Sequence, residues 1–253
     1  MTTYKWSASS SGSASTTTNW TPNGLPATGD TVEYSSLSVA DCDWDIGLIG
    51  IIDVGSDYTG AIEFQVDTEI ETGLSIASEN NIHAASGITL SFTGTPAYSS
   101  GKSYVKLNCT DPFRNSTSRN NFLFKFAGSA VLELDSGIYP HLEFASGFRP
   151  NYFAPTLSSN KYYVKFLSMK LTGGSVAQLA NPTSDDRKMH FVFEGMTGFG
   201  GSGSQFQISS VSPSTFDGGY AHWTFQCTAS GFTIPVSGTP LYNDWTFTFR
   251  NMI

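Results

Sequence analysis

The sequence predicts an all-β protein, in which a β-solenoid of the parallel β-helix type follows a flexible N-terminal arm. Apolar and polar side chains alternate along many short runs, as expected for strands that bury one face. Charged residues make up only 13% of the chain, about half the usual share, which fits neither a helical bundle nor a coiled coil. The 25 glycines and 11 prolines fall largely between the runs, which is typical of turns.

The N-terminal segment has a composition of its own. Within Ser7–Asn19, nine of the thirteen residues are Ser or Thr and none is charged. Such a segment has too little apolar surface to offset its ordering entropy, so residues 1–19 are predicted to form a flexible arm. Trp6 and Trp20 flank the segment and are expected to anchor its two ends.

Residues 20–253 are predicted to form the all-β body, and the sequence leaves open a division near residues 150–185. A turn-rich stretch opens the body, and Thr31–Tyr34 is predicted as its first strand. The best helix candidate is Ser175–Ala180, which is short. Alternation predicts further strands at Ala61–Val66, Ile88–Thr93, Tyr104–Asn108, Asn121–Phe126, Val131–Leu134, Tyr162–Phe166, Phe191–Glu194, Ser204–Ile208, Trp223–Cys227 and Trp245–Arg250.

Two architectures fit this succession of short strands. A β-sandwich or jelly roll would join its strands by tight hairpins, yet Asn23-Gly24 and Asp217-Gly218 are the only Asn-Gly or Asp-Gly dipeptides. A β-solenoid would instead join parallel strands by longer corners. Residues 84–94 and 127–137 share one pattern of small residues, an alternating strand, and a closing polar residue with Gly. This self-similarity favours the solenoid, and the sandwich or jelly roll is the alternative.

One stretch near the start of the body resembles a segment known from other proteins. Asn19-Trp20, Gly24-Leu25-Pro26 and Gly29-Asp30-Thr31-Val32 follow the order NW … G-x-P … G-D-x-V. This order resembles the segment that precedes right-handed parallel β-helices in bacterial surface proteins and in virion proteins of tailed phages. Residues 57–62 resemble the GYTGTI turn that often follows, with Asp in place of the first Gly. The resemblance covers residues 19–94 and implies a parallel β-helix.

Charge, hydropathy and cysteine count narrow the class of partner. The net charge is −8 and there is no basic block, so nucleic-acid binding is not expected. The longest apolar run, Ile46–Ile52, is far shorter than the roughly 20 residues of a membrane-spanning helix. The three cysteines are far apart, so we expect reduced, buried thiols rather than disulfides or a zinc site. The N-terminus shows no secretory signal, and folding in a reducing cytoplasm is expected.

No catalytic, cofactor-binding or metal-binding residue is predicted, and no cofactor. Gly198–Gly203 matches G-x-G-x-x-G, but a predicted strand follows it where dinucleotide binding needs a helix. Asp41, Asp43 and Asp45 would line one face of a strand, where carboxylates can bind Ca²⁺. The EF-hand pattern fails there, so a solvated strand face is expected. The four histidines share no metal-binding spacing.

These observations predict a structural virion protein of a tailed bacteriophage that decorates or cements the capsid and stabilises the shell by adhesion. The expected partner is the major capsid protein or another virion protein, contacted through the arm or an edge strand. A homotrimer on the virion surface, assembled in the host cytoplasm, is expected. The alternative is a tail-spike, fibre or other glycan-binding module that stacks exposed aromatics on host polysaccharide. No enzyme is predicted, although polysaccharide cleavage by paired carboxylates stays open.

Overall fold

The computed structural model describes residues 1–84, 87–93, 103–107, 112–113, 115–126, 130–134, 137–144, 152–155, 161–171, 176–180, 188–197, 205–209, 220–227, 236–237 and 245–250. Strands and turns make up nearly all of these ranges, which confirms the predicted all-β class. Two short helical segments interrupt the strands: a 3-10 turn at Thr17–Asn19 and the six-residue helix α1 (Ser116–Asn121). No helix in these ranges has the length and hydropathy that a membrane crossing requires.

The strands follow one another closely along the chain. They are β1 (Thr3–Trp6), β2 (Gly12–Ser13), β3 (Trp20–Thr21), β4 (Thr31–Tyr34), β5 (Cys42–Trp44), β6 (Leu48–Val54), β7 (Ile62–Phe64), β8 (Thr68–Ile76), β9 (Ile82–Ala84), β10 (Ile88–Phe92), β11 (Ser103–Leu107), β12 (Phe122–Phe126), β13 (Ala130–Leu134), β14 (Gly137–Phe144), β15 (Tyr152–Pro155), β16 (Lys161–Leu171), β17 (Val176–Ala180), β18 (Lys188–Thr197), β19 (Gln205–Ser209), β20 (Tyr220–Cys227), β21 (Val236–Ser237) and β22 (Trp245–Arg250).

Nearly all of these strands pair in parallel. The largest sheet runs in the order β22-β20-β18-β16-β14-β12-β10-β8-β6-β4-β1-β3, and along it only β1 and β3 are antiparallel. Further parallel rows are β2-β5-β7-β9, β17-β19-β21, and β11-β13-β15, which starts on β8. Parallel neighbours cannot be joined by tight hairpins, so the pairing differs from that expected of a sandwich or jelly roll.

Two long strands turn a corner between rows. The register of β6 shifts between Ile49 and Ile51, and β8 pairs with β10 through its first half and with β11 through its second half. At the corner of β6, a Cβ added to Gly50 would lie 2.5 Å from the carbonyl oxygen of Asp30. Glycine therefore lets two stretches of backbone approach closely at this corner.

Inward-facing side chains stack from strand to strand to form the core. Val32, Ile52 and Leu74 occupy matched positions on β4, β6 and β8, and all three are buried. At the N-terminal end, the Trp6 and Trp20 rings meet edge to face with their centroids 5.0 Å apart. Further along, buried phenylalanines fill the interior: Phe64, Phe92, Phe113, Phe122, Phe124 and Phe126. Burial of this apolar surface is the main force that holds the strands together.

The N-terminal residues belong to the body, which corrects the prediction of a flexible arm over residues 1–19. β1 pairs with both β3 and β4, and β2 pairs with β5. Trp6 and Ala14 are fully buried, and Trp20 anchors the far end as predicted. The segment is ordered because distant residues satisfy its polar groups; the Thr2 N–H, for example, donates to Asp30 Oδ1 at 2.6 Å.

Strands lie at the positions where alternation is clearest, and the one helix candidate is wrong. β4 and β22 have the predicted bounds, and β12 begins one residue later than predicted, since Asn121 ends helix α1. β4 is not the first strand, because β1, β2 and β3 precede it. The residues predicted as a helix, Ser175–Ala180, instead contain strand β17, which pairs in parallel with β19. So short a segment gains little from helical hydrogen bonds, whereas a neighbouring strand satisfies its backbone.

The two self-similar segments do not stack on each other. The first contains β10, which pairs with β8 and β12, and the second contains β13, which pairs with β11 and β15. The shared pattern therefore reflects a common way of forming a strand, on two different rows, rather than a repeat between adjacent strands.

Candidate functional site

A groove opens at the side of the body where two turns lie next to each other. One turn joins β1 to β2 and the other joins β4 to β5. Together they enclose a surface depression of about 550 Å³, which we call the corner groove. It is lined by Ala8, Ser9, Ser10, Ser11, Ser36, Leu37, Ser38, Val39, Ala40 and Asp41.

The floor of the corner groove is held by hydrogen bonds between the two turns. The buried Ser38 hydroxyl donates to the Ala8 carbonyl at 2.6 Å and accepts from the Ala40 N–H at 3.2 Å. The Ala40 carbonyl accepts from the Trp6 indole N–H at 2.9 Å and from the Tyr58 hydroxyl at 2.8 Å. These bonds tie the groove to the aromatic core, so its shape is set before any partner binds.

The rim of the corner groove offers three kinds of contact. Leu37 and Val39 are 55% and 60% exposed, although they are aliphatic. Ser9, Ser10 and Ser11 are exposed and present hydroxyl groups. Asp41 is exposed, and its Oδ1 accepts the Ala61 N–H at 2.7 Å. No Lys or Arg is among the lining residues of this groove, so its charge is negative.

The three alternating aspartates beside the groove have separate roles. Cys42 and Trp44 are buried while Asp43 between them is exposed, which confirms the predicted alternation on β5. Asp41 and Asp45 instead bond to backbone N–H groups of other segments. Within the ranges that the structure describes, no group of three or more His, Cys, Asp or Glu side chains is arranged to hold a metal ion.

The outer face of the row β5-β7-β9 continues from the groove as a column of polar side chains. Asp43, Glu63 and His83 occupy matched positions on these strands. His83 Nδ1 lies 3.5 Å from Glu63 Oε2, which is longer than a good hydrogen bond. The column therefore adds negative charge next to the groove, but its side chains are not hydrogen-bonded to one another as a catalytic pair would be.

Carboxylates lock turns of the body to one another, a role that the sequence did not reveal. Asp30, Asp45, Asp57, Asp67 and Glu71 each accept a backbone N–H from a residue between 21 and 42 positions away. Four of these N–H groups lie outside the strands and the fifth, that of Thr89, lies near the start of β10. A charged acceptor forms a stronger hydrogen bond with such a group than a neutral one does. The excess of acidic residues thus has a structural cause.

Asp45 accepts three hydrogen bonds from the segment around β2. Its Oδ2 accepts the hydroxyls of Ser13 and Ser15 at 2.6 and 2.7 Å, and its Oδ1 accepts the Ser15 N–H at 2.8 Å. Partial burial raises the pKa of Asp45, but these hydrogen bonds outweigh burial and hold the pKa below its ordinary value of 3.8. Asp45 therefore fastens the turn after β2 in its ionised form.

Replacing Asp45 with alanine is expected to lower the free energy of unfolding at neutral pH by roughly 1–2 kcal/mol. Because the folded pKa lies below the unfolded one, the stabilisation by ionised Asp45 is complete well above pH 3.8 and disappears as the pH falls through the lower folded value. Urea unfolding at pH 7 and pH 3 measures this, with Asp43→Ala, an exposed carboxylate two residues earlier, as the control. An equal loss of stability at both pH values would contradict the assignment.

Cys42 is the cysteine whose side chain the structure describes, and it is free and fully buried, as predicted for it. Its sulfur lies 3.2 Å from the Tyr34 hydroxyl. Burial raises the pKa of the Cys42 thiol far above its ordinary value, so it is not poised as a nucleophile. Cys109 lies outside the described residues.

Other candidate residues are dispersed. Gly198–Gly203 lies outside the described residues. His83 lies on β9 and the half-buried His141 on β14, where burial lowers the pKa of His141. His190 and His222 hold paired backbone positions on β18 and β20.

Side chains and a proline cover part of the strand edge at the N-terminal end of the body. β2 is the edge strand of its row, and its Ser13 carbonyl accepts the Asn19 side-chain N–H at 3.0 Å. The next carbonyl, that of Ala14, accepts the Trp20 indole N–H at 2.7 Å. On the larger sheet, β3 covers β1, and Pro22 follows it without an N–H to offer. An exposed strand edge is a template for association, so these groups protect the end.

Comparison with protein-family models, with curated proteins and with solved structures gives no match to this chain.

Proposed function

We propose that this chain is a structural protein of a tailed-bacteriophage particle, with a β-solenoid body that sits on the capsid and stabilises it by adhesion. The proposed partner is the major capsid protein or another virion protein, and the proposed state is a homotrimer on the virion surface. Adhesion needs a rigid body and an accessible contact surface, and it needs no reactive group.

The pairing pattern supports the solenoid. A chain that winds in coils brings each strand next to the equivalent strand of the following coil, in parallel and in register. The rows β2-β5-β7-β9 and β4-β6-β8 have this relation, and Val32, Ile52 and Leu74 stack along the second of them. In addition, Trp20 and Val32, which belong to the segment that resembles the start of phage and bacterial β-helices, are buried in the first turns of the body.

The observation that carries the proposal is a contact surface at the side of the body, together with a partly covered strand edge at its N-terminal end. The Ser13 carbonyl of the edge strand β2 is already occupied by the Asn19 side chain, which disfavours strand addition at this point. The corner groove, by contrast, exposes Leu37 and Val39 at the side. Contiguous exposed apolar surface rimmed by polar groups marks protein contact sites, and Leu37 and Val39 are the apolar part of this rim. Contact through the side replaces the arm or edge strand that we first expected.

Burial of the aromatic side chains favours adhesion over glycan binding. Stacking on a sugar needs an exposed ring, yet the large apolar side chains that are exposed among the described residues are all aliphatic or Met. Trp6, Trp20 and Trp44 are fully buried in the core. The glycan-binding alternative therefore finds no stacking platform in the part of the chain with described side chains.

The proposal is tested on phage particles from a host that carries the gene. The particles are purified on a density gradient, and the copy number of the chain is measured by quantitative mass spectrometry against the major capsid protein. We expect many copies per particle, in a multiple of three, and release of the chain should make the capsids more sensitive to heat. A host protein of similar abundance is the control for carry-over. Absence of the chain from purified particles would contradict the proposal.

A further inference from the structure

We propose that the corner groove binds an extended surface segment of a neighbouring protein in which a Lys or Arg lies next to aliphatic residues. This inference rests on the proposed adhesive function and names the chemistry of the partner.

The aliphatic part of the segment is inferred from Leu37 and Val39. Both lie on the turn between β4 and β5 and expose more than half of their surface, in a turn otherwise made of Ser, Ala and Asp. The floor beneath them is fixed, because the Ser38 hydroxyl and the Ala40 carbonyl are bonded to Ala8, Trp6 and Tyr58. Two aliphatic side chains on a fixed turn can bury the aliphatic side chains of a partner without the turn first reorganising.

The basic part of the segment is inferred from the charge of the groove. The Asp41 Oδ1 is bonded to the Ala61 N–H, and its Oδ2 has no hydrogen-bond partner among the described residues. Asp43, two residues further on, is also exposed, while the ion pair that the structure describes for a Lys, between Lys5 and Glu33, lies on the other sheet. A guanidinium or ammonium group would therefore meet a carboxylate oxygen that no cation neutralises.

An extended segment, rather than a helix, is inferred from the hydroxyls. Ser9, Ser10 and Ser11 are consecutive and exposed along one side of the groove. Each hydroxyl can donate and accept, which suits the N–H and C=O groups that an extended backbone leaves unpaired. A helix would offer few such groups because its backbone bonds are internal.

The full chain is immobilised and used to select binders from a library of random twelve-residue peptides. Selected peptides are then synthesised, and their dissociation constants are measured by fluorescence anisotropy at low and high salt. We expect the selected peptides to carry Lys or Arg beside Leu, Ile or Val, and to bind more weakly at high salt.

Matched variants test whether the selected peptides bind in the corner groove. Asp41→Asn keeps an oxygen for the Ala61 N–H but removes the charge, and Val39→Ser removes an exposed aliphatic side chain. Each should weaken the selected peptides by roughly threefold to tenfold. Asp53→Asn and Leu48→Ser change an exposed charge and an exposed aliphatic on β6, outside the groove, and should leave binding unchanged.

Several outcomes would overturn the inference. A library that yields either peptides with no shared sequence or peptides that are acidic or aromatic would overturn it. Selected peptides that bind Asp41→Asn as tightly as the parent chain would also overturn it. Binding of neutral oligosaccharides that Asp41→Asn does not alter would also overturn it. If the chain is abundant on particles but the peptides fail, only the groove assignment falls. If the peptides bind but the chain is absent from particles, the proposed function falls instead.

Discussion

Replacing Trp20 with alanine is expected to lower the free energy of unfolding by about 3–5 kcal/mol, the usual cost of emptying a large aromatic site. The Trp20 ring is fully buried and packs edge to face against Trp6, with the two ring centroids 5.0 Å apart. The centroid of the Tyr34 ring lies 5.9 Å from that of Trp20. Its indole N–H donates to the Ala14 carbonyl at 2.7 Å. The substitution therefore removes packing and leaves a carbonyl of the edge segment without its partner. Chemical unfolding followed by circular dichroism measures the change.

Two further variants separate the causes. Trp20→Phe keeps an aromatic ring but loses the N–H, so we expect a cost of roughly 1–3 kcal/mol, because the buried Ala14 carbonyl is left without its partner. Leu25→Ala is the exposed control, since Leu25 is 51% exposed, and its effect should stay within about 0.5 kcal/mol. A loss of less than about 1 kcal/mol in Trp20→Ala would show that the aromatic cluster does not hold this end of the body.

Deleting residues 1–19 is expected to abolish cooperative folding of the N-terminal part or to make the chain aggregate. The deletion removes β1 and β2 together with Trp6, and so uncovers the edges of β4 and β5. It also leaves Tyr34, now fully buried, without the Trp6 ring 6.0 Å away. Unpaired parallel edges over an open core are aggregation sites. Size-exclusion chromatography with light scattering and near-ultraviolet circular dichroism report the outcome.

The matched control for the deletion changes the same segment without removing its strands. In this variant Ser9, Ser10 and Ser11 all become alanine, while β1, β2 and Trp6 are kept. We expect it to fold as the parent chain does. A truncated chain that stays monomeric with the parent's unfolding midpoint would restore the flexible arm and contradict the fold described here.

Alternation predicts strands well where a strand keeps one face towards the core throughout. β10 and β12 are of this kind, since buried and partly exposed residues alternate along their whole length. In β8, by contrast, Thr72, Gly73 and Leu74 are all buried, because the strand turns from one row to the next at that point. A corner inside a strand breaks the period of two, which is why β8 was not predicted.

Local composition misled the prediction for the first residues. The Ser- and Thr-rich segment has little apolar surface of its own, but the Ser13 and Ser15 hydroxyls bond to Asp45, some thirty residues away. Trp6 and Trp20 are buried at its ends. Only the pairing of distant strands brings these partners together. The order of this segment therefore cannot be predicted from the composition of its own residues.

The corner groove could not be predicted for a related reason. Its two sides, residues 8–11 and 36–41, are separated along the chain by β2, β3 and β4 and meet only in the folded body. The one local signal is that Leu37 and Val39 lie in an otherwise polar turn, which alone does not distinguish a contact surface from a core residue.

An electron cryomicroscopy reconstruction of the phage particle on which we propose that this chain lies tests the proposal most directly. We predict a rod of stacked parallel strands on the outside of the shell, with the corner groove against a basic surface segment of its neighbour and the N-terminal end free. Density in which the chain is attached through its first nineteen residues as an extended arm, or is missing from the particle, would contradict it.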